Sequence, residues 1–430
     1  MEISSTINDK WMLCTLVSLL SCIILLFCLN QGDEIEKLSG VQNIASSTTS
    51  SNDSAQQPAA SMIFSQPSNI SEHEKETKEE EHSCNIFDGK WTYAPKDSPL
   101  YKGSQCPFLS DQVSCQRNGR PDFEYENWSW EAKGCEIPKF NGTDMLERLR
   151  GKRVIIVGDS LNRNMWESLA CLLYSSIPNP SSEAHVRETN GFYKVIRAKM
   201  KNVQQVYNCS VEFYWSPFLV DLVENQKRGT KTLKLEKISS SASKWRGADI
   251  MVFNTGHWWK GKLKELNYFL YRGKVVRKMD SELALETAMK TWAHWIDKNV
   301  DMNNTMVFFR SISPEHKEDQ WCYNETKPIM DESYVATFPK SLVEIVERTI
   351  GRMSKPARYL NITNLSQYRR DAHPSIYTSR QGKLLTVTQR SDPLTYADCS
   401  HWCLPGLPDT WNRLVYASMV LDKSRDIPIS

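Results

Sequence analysis

No two cysteines in the sequence stand three positions apart, so the CxxC knuckles of a structural zinc ribbon are absent. There is no internal repeat, which excludes a repeat array. Net charge is nearly absent too, +2 over 430 residues, so the protein as a whole is no electrostatic partner for nucleic acid. Charge is missing altogether from Met12 to Leu29, an apolar run about long enough to cross a bilayer as a helix. Lys10 and Trp11 precede it, and Asp33, Glu34 and Glu36 follow, a weak bias that leaves the N-terminus in the cytosol. No A-x-A-like cleavage site follows the run, so a retained single-pass anchor over 11–29 behind a cytosolic tail 1–10 is expected rather than a cleaved signal peptide. Either reading delivers the rest of the chain to an oxidising lumen.

Large apolar residues are scarce from 30 to 83, where Ser, Thr, Gln and Glu prevail, and Glu72–His82 is nearly all charged. Such a composition cannot bury enough surface to fold and reads as a flexible stem holding the body away from the membrane. Beyond it lie nine cysteines: Cys84, Cys106, Cys115, Cys135, Cys171, Cys209, Cys322, Cys399 and Cys403. Nine allow four disulfides and one thiol. Sequons begin at Asn52 and Asn69 in the stem, and at Asn127, Asn141, Asn208, Asn303, Asn324, Asn361 and Asn364 in the body, as expected of a glycosylated lumenal protein. Between Lys194 and Lys278, 18 Lys and Arg face 6 Asp and Glu. That stretch would favour a uronic-acid-bearing partner if it gathers on one face, and is otherwise a solvated surface balanced by acids elsewhere.

Length allows two domains. Residues 84–150 are loop-rich, with four cysteines and aromatics that include Trp91, Tyr93, Tyr125, Trp128 and Trp130. They are expected to form a small module in which disulfides do the work of a core. From 151 to 430 strand and helix patterns alternate. Strands are expected at Arg153–Val157, Asp249–Phe253, Thr305–Arg310 and Arg358–Ile362. Helices are expected at Leu161–Tyr174, Leu283–Ile296 (with Leu283, Thr287, Trp292 and Trp295 near one face), Lys340–Ile350 and Asp409–Val420. The alternation implies an α/β fold, a parallel sheet covered by helices on both faces.

Two short strings carry chemistry. Gly158-Asp159-Ser160 lies at the junction of the first strand and first helix, where ligands collect at the carboxyl edge of a parallel sheet. A serine there sits among helix-start N–H groups that can stabilise an oxyanion, although Asp159 or Ser160 could equally be a helix cap. Asp398-Cys-Ser-His401-Trp-Cys403 precedes the last helix. A nucleophilic serine needs a base, and the base needs an acid on its far nitrogen; Asp398 and His401 could supply both from one turn.

G-D-S early in the body with D-x-x-H before the last helix resembles the SGNH (GDSL-type) esterase superfamily. Longer strings narrow the resemblance: Cys84-Asn-Ile-Phe-Asp-Gly-Lys-Trp91, Cys115-Gln-Arg-Asn-Gly-Arg-Pro-Asp122, Gly158-Asp-Ser-Leu-Asn-Arg-Asn164, Asn254-Thr-Gly-His-Trp-Trp259 and Asp398-Cys-Ser-His-Trp-Cys-Leu-Pro-Gly406, continuing to Asp409, Trp411 and Asn412. They are similar to the plant trichome-birefringence-like family of wall polysaccharide O-acetyltransferases, over about Cys84 to Val420. The resemblance implies an SGNH-like three-layer fold with a disulfide-rich N-terminal module. It also implies a single-pass type II Golgi membrane protein with a lumenal catalytic domain. Ser160 would be the nucleophile, His401 the base and Asp398 its orienter, forming an acetyl-serine that a polysaccharide hydroxyl then accepts. No metal or bound cofactor is needed, and the acetyl donor is a cosubstrate. An esterase using water, or a non-catalytic polysaccharide-binding wall protein, are the rival readings. The basic stretch favours xylan or pectin over neutral polymers.

Around the triad, Asn254 is the candidate oxyanion donor beside the Ser160 amide, or else a loop residue making turn bonds. Arg163 and Asn164 either hold the helix start or meet the acceptor sugar. His257, Trp258 and Trp259 would form a sugar platform unless they are core, and Trp402 carries the same two readings. The expected disulfides are Cys322–Cys399 and Cys115–Cys403, which would fix the loop of the base, with Cys84–Cys135 and Cys106–Cys171, leaving Cys209 over.

Overall fold

The structure, a computed structural model, describes residues 84–177, 184–189, 193–198, 207–317, 321–331, 333–334 and 340–422. The tail 1–10, the anchor 11–29, the stem 30–83 and the sequons at Asn52 and Asn69 lie outside the described residues. No described helix is long and apolar enough to cross a membrane.

The centre of the fold is β3, Arg153–Gly158, whose run Val154–Val157 is wholly buried. A strand buried on both faces need not alternate apolar with polar, and this one does not. Its period of two sends Val154 and Ile156 into one core and Ile155 and Val157 into another. On the first face lie α2 (Ser160–Tyr174) and α5 (Leu407–Val420), through Leu161, Met165, Trp166, Trp411 and Leu414. On the second lie α3 (Ser281–Asn299) and α4 (Lys340–Ile350), through Met289, Trp292, Ile296, Ile345 and Val346. Helices on both faces of one sheet make the three layers.

Beside β3 run β6 (Cys209–Trp215) and β9 (Ile250–Phe253), both parallel to it, with Val154 facing Val211 on one side and Ile250 on the other. β12 (Met306–Arg310) and β13 (Arg358–Leu360) extend the parallel part, giving the order β13-β12-β9-β3-β6-β5-β4. The last two, β5 (Tyr193–Ala198) and β4 (Ala184–Thr189), are antiparallel, so the sheet is mixed at one edge rather than wholly parallel. A second sheet, unforeseen in the sequence, joins β7 (Val220–Asn225), β8 (Thr230–Ile238), β10 (Tyr268–Tyr271) and β11 (Lys274–Val276). Several cations of the basic stretch sit on or beside it in pairs with acids: Lys231 with Glu224, Lys234 and Lys237 with Asp221, Lys262 with Glu265.

Two local expectations need correction. Leu283 lies in the first turn of α3 after the Asp280 cap and is 42% exposed; the buried face runs through Ala284, Leu285, Ala288, Met289, Trp292 and Ile296. Nor do disulfides stand in for a core in 84–150. The hairpin of β1 (Gly89–Tyr93) and β2 (Trp128–Ala132) sets Trp91 opposite Trp130, edge to face at 5.5 Å. Both rings, with Tyr125, are buried in the same cluster as α2 and α5. Their large apolar area is what joins the hairpin to the body.

Four disulfides form: Cys84–Cys135, Cys106–Cys171, Cys115–Cys403 and Cys322–Cys399, while Cys209, buried on β6, is in none. Of the sequon asparagines, Asn141, Asn208, Asn303, Asn324 and Asn364 are exposed, and Asn127 and Asn361 are half-buried.

Candidate active site

The site is built at the carboxyl ends of β3 and β9. The chain leaves β3 through Gly158, which passes so close to β9 that a Cβ there would lie 1.9 Å from Asn254 Oδ1. Only glycine fits that approach. Asp159 then caps α2, its Oδ1 accepting the Leu161 N–H at 2.9 Å, and Ser160 is the first helical residue. Capping therefore belongs to Asp159, and the Ser160 hydroxyl is left for other work.

That hydroxyl lies 2.8 Å from His401 Nε2. On the far side of the ring, His401 Nδ1 is 2.8 Å from Asp398 Oδ2 and 3.1 Å from Oδ1. Asp398 Oδ1 also accepts the N–H groups of Ser400 and His401, each at 3.1 Å. Burial alone would raise the Asp398 carboxyl, but the His401 charge, the ring hydrogen bond and these N–H donors hold it well below the usual carboxylate range. It stays ionised and fixes the proton on Nδ1, so Nε2 faces Ser160 with its lone pair.

The loop carrying Asp398 and His401 is held from several directions. Disulfides end it at Cys399 and Cys403. Asp398 exchanges two backbone hydrogen bonds with Ser375, at 3.0 and 2.9 Å. Asn164, one turn along α2 from Ser160, accepts the Trp402 N–H at 2.9 Å and donates to the Trp402 carbonyl at 3.1 Å. It is fully buried, so it does not meet a sugar; nor does it hold the helix start, which Asp159 caps, and its amide instead clips the loop of the base to α2. His373 lies 2.6 Å from the His401 carbonyl through Nδ1, which must carry the proton because a carbonyl only accepts. Burial pushes the His373 ring well below its usual value, which keeps it neutral.

Residues 84–150 reach the site as well, through side chains the sequence reading missed. Gln112 Nε2 donates to Asp398 Oδ2 at 3.3 Å, and its Oε1 accepts from Arg163 Nη2 at 2.5 Å. Arg120 is buried against Asp122 and the Tyr125 ring and donates to the carbonyls of Asp371 and His373 at 2.7 and 2.9 Å. The string ending in Arg120 and Asp122 was visible; what its arginine ties down was not. Gln112, just upstream of that string, carried no signal.

Other candidates separate by burial. Asn254 sits on the expected sheet edge, where its Nδ2 donates to Asp159 Oδ1 at 3.2 Å. Arg163 points from α2 toward Gln112 and lies 3.6 Å from Glu167. His257 bonds Glu315 through Nδ1 and the Ser313 carbonyl through Nε2, each at 2.7 Å. Burial lowers its pKa, but the Glu315 hydrogen bond and charge outweigh that and raise it. Trp258 is half-buried against Trp215 and Phe218. Trp259 and Trp402 are 0% exposed, so neither can offer a face to a sugar, and both stacking assignments fail. Trp259 bonds Thr255 and packs on Phe218; Trp402 bonds Ser313 and stacks on His373 at 3.8 Å.

A buried charge bonds the first turn of α2, two residues after Ser160. Arg310, at the end of β12, donates to Asn162 and to the Ser311 carbonyl, each at 2.9 Å, and lies over the Trp411 ring. Burial lowers its pKa to about 10, against the opposing field of Asp159.

Comparison with known sequences fits this geometry. The family model described as the GDSL/SGNH-like acyl-esterase family found in Pmr5 and Cas1p matches residues 137–418, and that of the PMR5 N-terminal domain matches 82–136. Protein trichome birefringence-like 3 of Arabidopsis thaliana is 40% identical over 354 residues, covering 78% of this chain and 79% of that protein. The chain belongs to the trichome birefringence-like family. Trichome birefringence-like 1 of Arabidopsis thaliana is 44% identical, over 79% of this chain and 62% of its own length. Xylan O-acetyltransferase 6 of Oryza sativa subsp. japonica is 41% identical, over 78% and 62%. The chain thus spans less than two thirds of the length of these last two relatives.

Proposed function

We propose that this trichome birefringence-like protein is an acyltransferase that moves an acetyl group onto a hydroxyl of a plant cell-wall polysaccharide, xylan or pectin. The observation that carries the reading is the continuous line Ser160 Oγ, His401 Nε2, His401 Nδ1, Asp398 Oδ2, at 2.8 and 2.8 Å, in a chain whose relatives include xylan O-acetyltransferases. In the first step His401 Nε2 takes the Ser160 proton as Oγ attacks the acetyl carbonyl. The donor's leaving group departs with that proton, and acetyl-serine remains. In the second, a polysaccharide hydroxyl gives its proton to Nε2 and attacks the ester, and Ser160 leaves and regains the proton. Asn254 and the Ser160 amide are the proposed oxyanion donors. The chain's place would be the Golgi membrane, anchored by 11–29 with the body in the lumen. The test incubates the purified protein and Ser160→Ala with an acetyl donor and unacetylated oligosaccharides, read by mass. Acetate release without sugar acetylation would show the esterase rival instead, and full activity in Ser160→Ala would sink both.

A further inference from the structure

Beside the triad, and connected to it through Gln112 and Arg163, lies a groove of about 890 Å³. Its far wall is the hairpin Ser379–Leu384, whose turn is made by Gln381 and Gly382, both at positive φ. The hairpin sets Arg380 directly opposite Lys383. Like charges in that position repel and weaken a hairpin. Neither is neutralised by an acid among the described residues. Arg380 donates to the Thr395 carbonyl at 2.8 Å and lies over the Tyr396 ring, and among the described residues the Lys383 ammonium is in no ion pair. Arg163 lines the near wall too, but its charge is already met by Glu167 at 3.6 Å, so Arg380 and Lys383 are the cations left to a ligand there. The acid in the lining, Asp111, is engaged at 2.6 Å by Arg117. Among the described residues, none of the cations between Lys194 and Lys278 lines this groove.

We propose, resting on the acyl-transfer reading above, that this groove is a subsite for a carboxylate of the acceptor, so that the preferred acceptor is a uronic-acid-bearing chain. A sugar carboxylate between Arg380 and Lys383 relieves their repulsion and takes charge-assisted hydrogen bonds from both. Hydroxyls of the same sugar meet the remaining polar wall, Ser110, Ser379 and Thr386. A hydroxyl on a neighbouring unit then lies toward Gln112 and Ser160. The occupant is an acceptor carboxylate rather than a donor phosphate because the cations line an open groove, the shape a polymer needs.

The experiment pairs trigalacturonate and glucuronic-acid-branched xylo-oligosaccharides with their carboxyl-reduced, neutral twins. Transfer to each is measured for the wild-type protein and for Arg380→Gln/Lys383→Gln. The wild type is expected to favour the acidic member through KM, and the double variant to lose about tenfold of that preference, with Lys383→Arg restoring part of it. Equal KM values for acidic and neutral twins in the wild type would overturn the proposal. Binding to Ser160→Ala, measured by calorimetry, separates the two readings. Uronate binding without transfer in the wild type would sink the acyl-transfer reading and keep the subsite. Loss of coenzyme A binding in the double variant with uronate binding intact would assign the groove to a donor phosphate and overturn it.

Discussion

Replacing Asn164 with alanine tests whether the base is positioned by a side-chain clip or by its disulfides alone. Asn164 is 1% exposed, and its amide satisfies both the N–H and the carbonyl of Trp402. Truncation leaves two buried backbone groups without partners, at about 1–3 kcal/mol each, or about 2–6 kcal/mol together. The lower figure applies if a water enters the space. Against a typical total of about 5–15 kcal/mol that lower figure leaves the protein folded at moderate temperature. Activity should fall further than stability suggests. Trp402 adjoins His401, and a displacement of about 1 Å at a reacting group costs about a hundredfold in rate. Denaturant unfolding measures the first effect; kcat and KM for transfer, at a temperature where the far-ultraviolet spectrum is native, measure the second. The loss should fall in kcat, since Asn164 cannot touch the acceptor. A stability change below about 1 kcal/mol together with a kcat within threefold of wild type would refute the reasoning and leave the loop to Cys115–Cys403 and Cys322–Cys399.

Asp398→Asn keeps the shape of the site but removes the charge that fixes the His401 proton, so kcat should drop by about four orders of magnitude with little change in KM. Gly158→Ala places a Cβ 1.9 Å from Asn254 Oδ1 and should lower the thermal midpoint markedly, whereas Gly151→Ala, with nothing near its Cβ though a positive φ, should cost less. Asp409, buried against Ser168, Tyr101 and the Gly406 N–H, has its pKa raised by burial to about 6 from 3.8. A raised folded value means its stabilising contribution is full below pH 3.8 and is lost as pH rises to 6, up to about 3 kcal/mol at about 1.4 per pH unit. Unfolding measured from pH 4 to 7 should show that decline in the wild type and a flatter curve in Asp409→Asn; equal slopes would refute it. Cys403→Ser should lose transfer activity although it carries no reacting group, and mild reduction should do the same before the protein unfolds.

The sequence by itself determined whatever depends on neighbours along the chain. The β-branched run of β3 and the Gly158-Asp159-Ser160 turn after it announced a strand–helix junction, and the periodicity of α2, α4 and α5 marked the helices. Asp398 and His401 were legible because they stand three positions apart in one turn. The long strings gave the family, and with it the three-layer fold. The antiparallel strands and the second sheet were not legible, because 184–276 holds short strands whose apolar residues are interrupted by Lys, Arg and Glu; their pairings are mostly between neighbours, β4 with β5, β7 with β8 and β10 with β11, and β8 with β10 is the longer reach. Nor could a local pattern say which aromatics are walls and which are core. Trp258 and Trp259 are adjacent and both touch Phe218, yet the helical turn sends the Trp259 ring inward to bond Thr255 and leaves Trp258 half-buried. The two disulfides that hold the loop of the base were expected from the sequence; its side-chain supports were decided by tertiary structure alone. Gln112 meets Asp398 across 286 positions, and Asn164 meets Trp402 across 238. Contacts of that range are fixed by how the sheet and its helices pack, which no window of sequence contains.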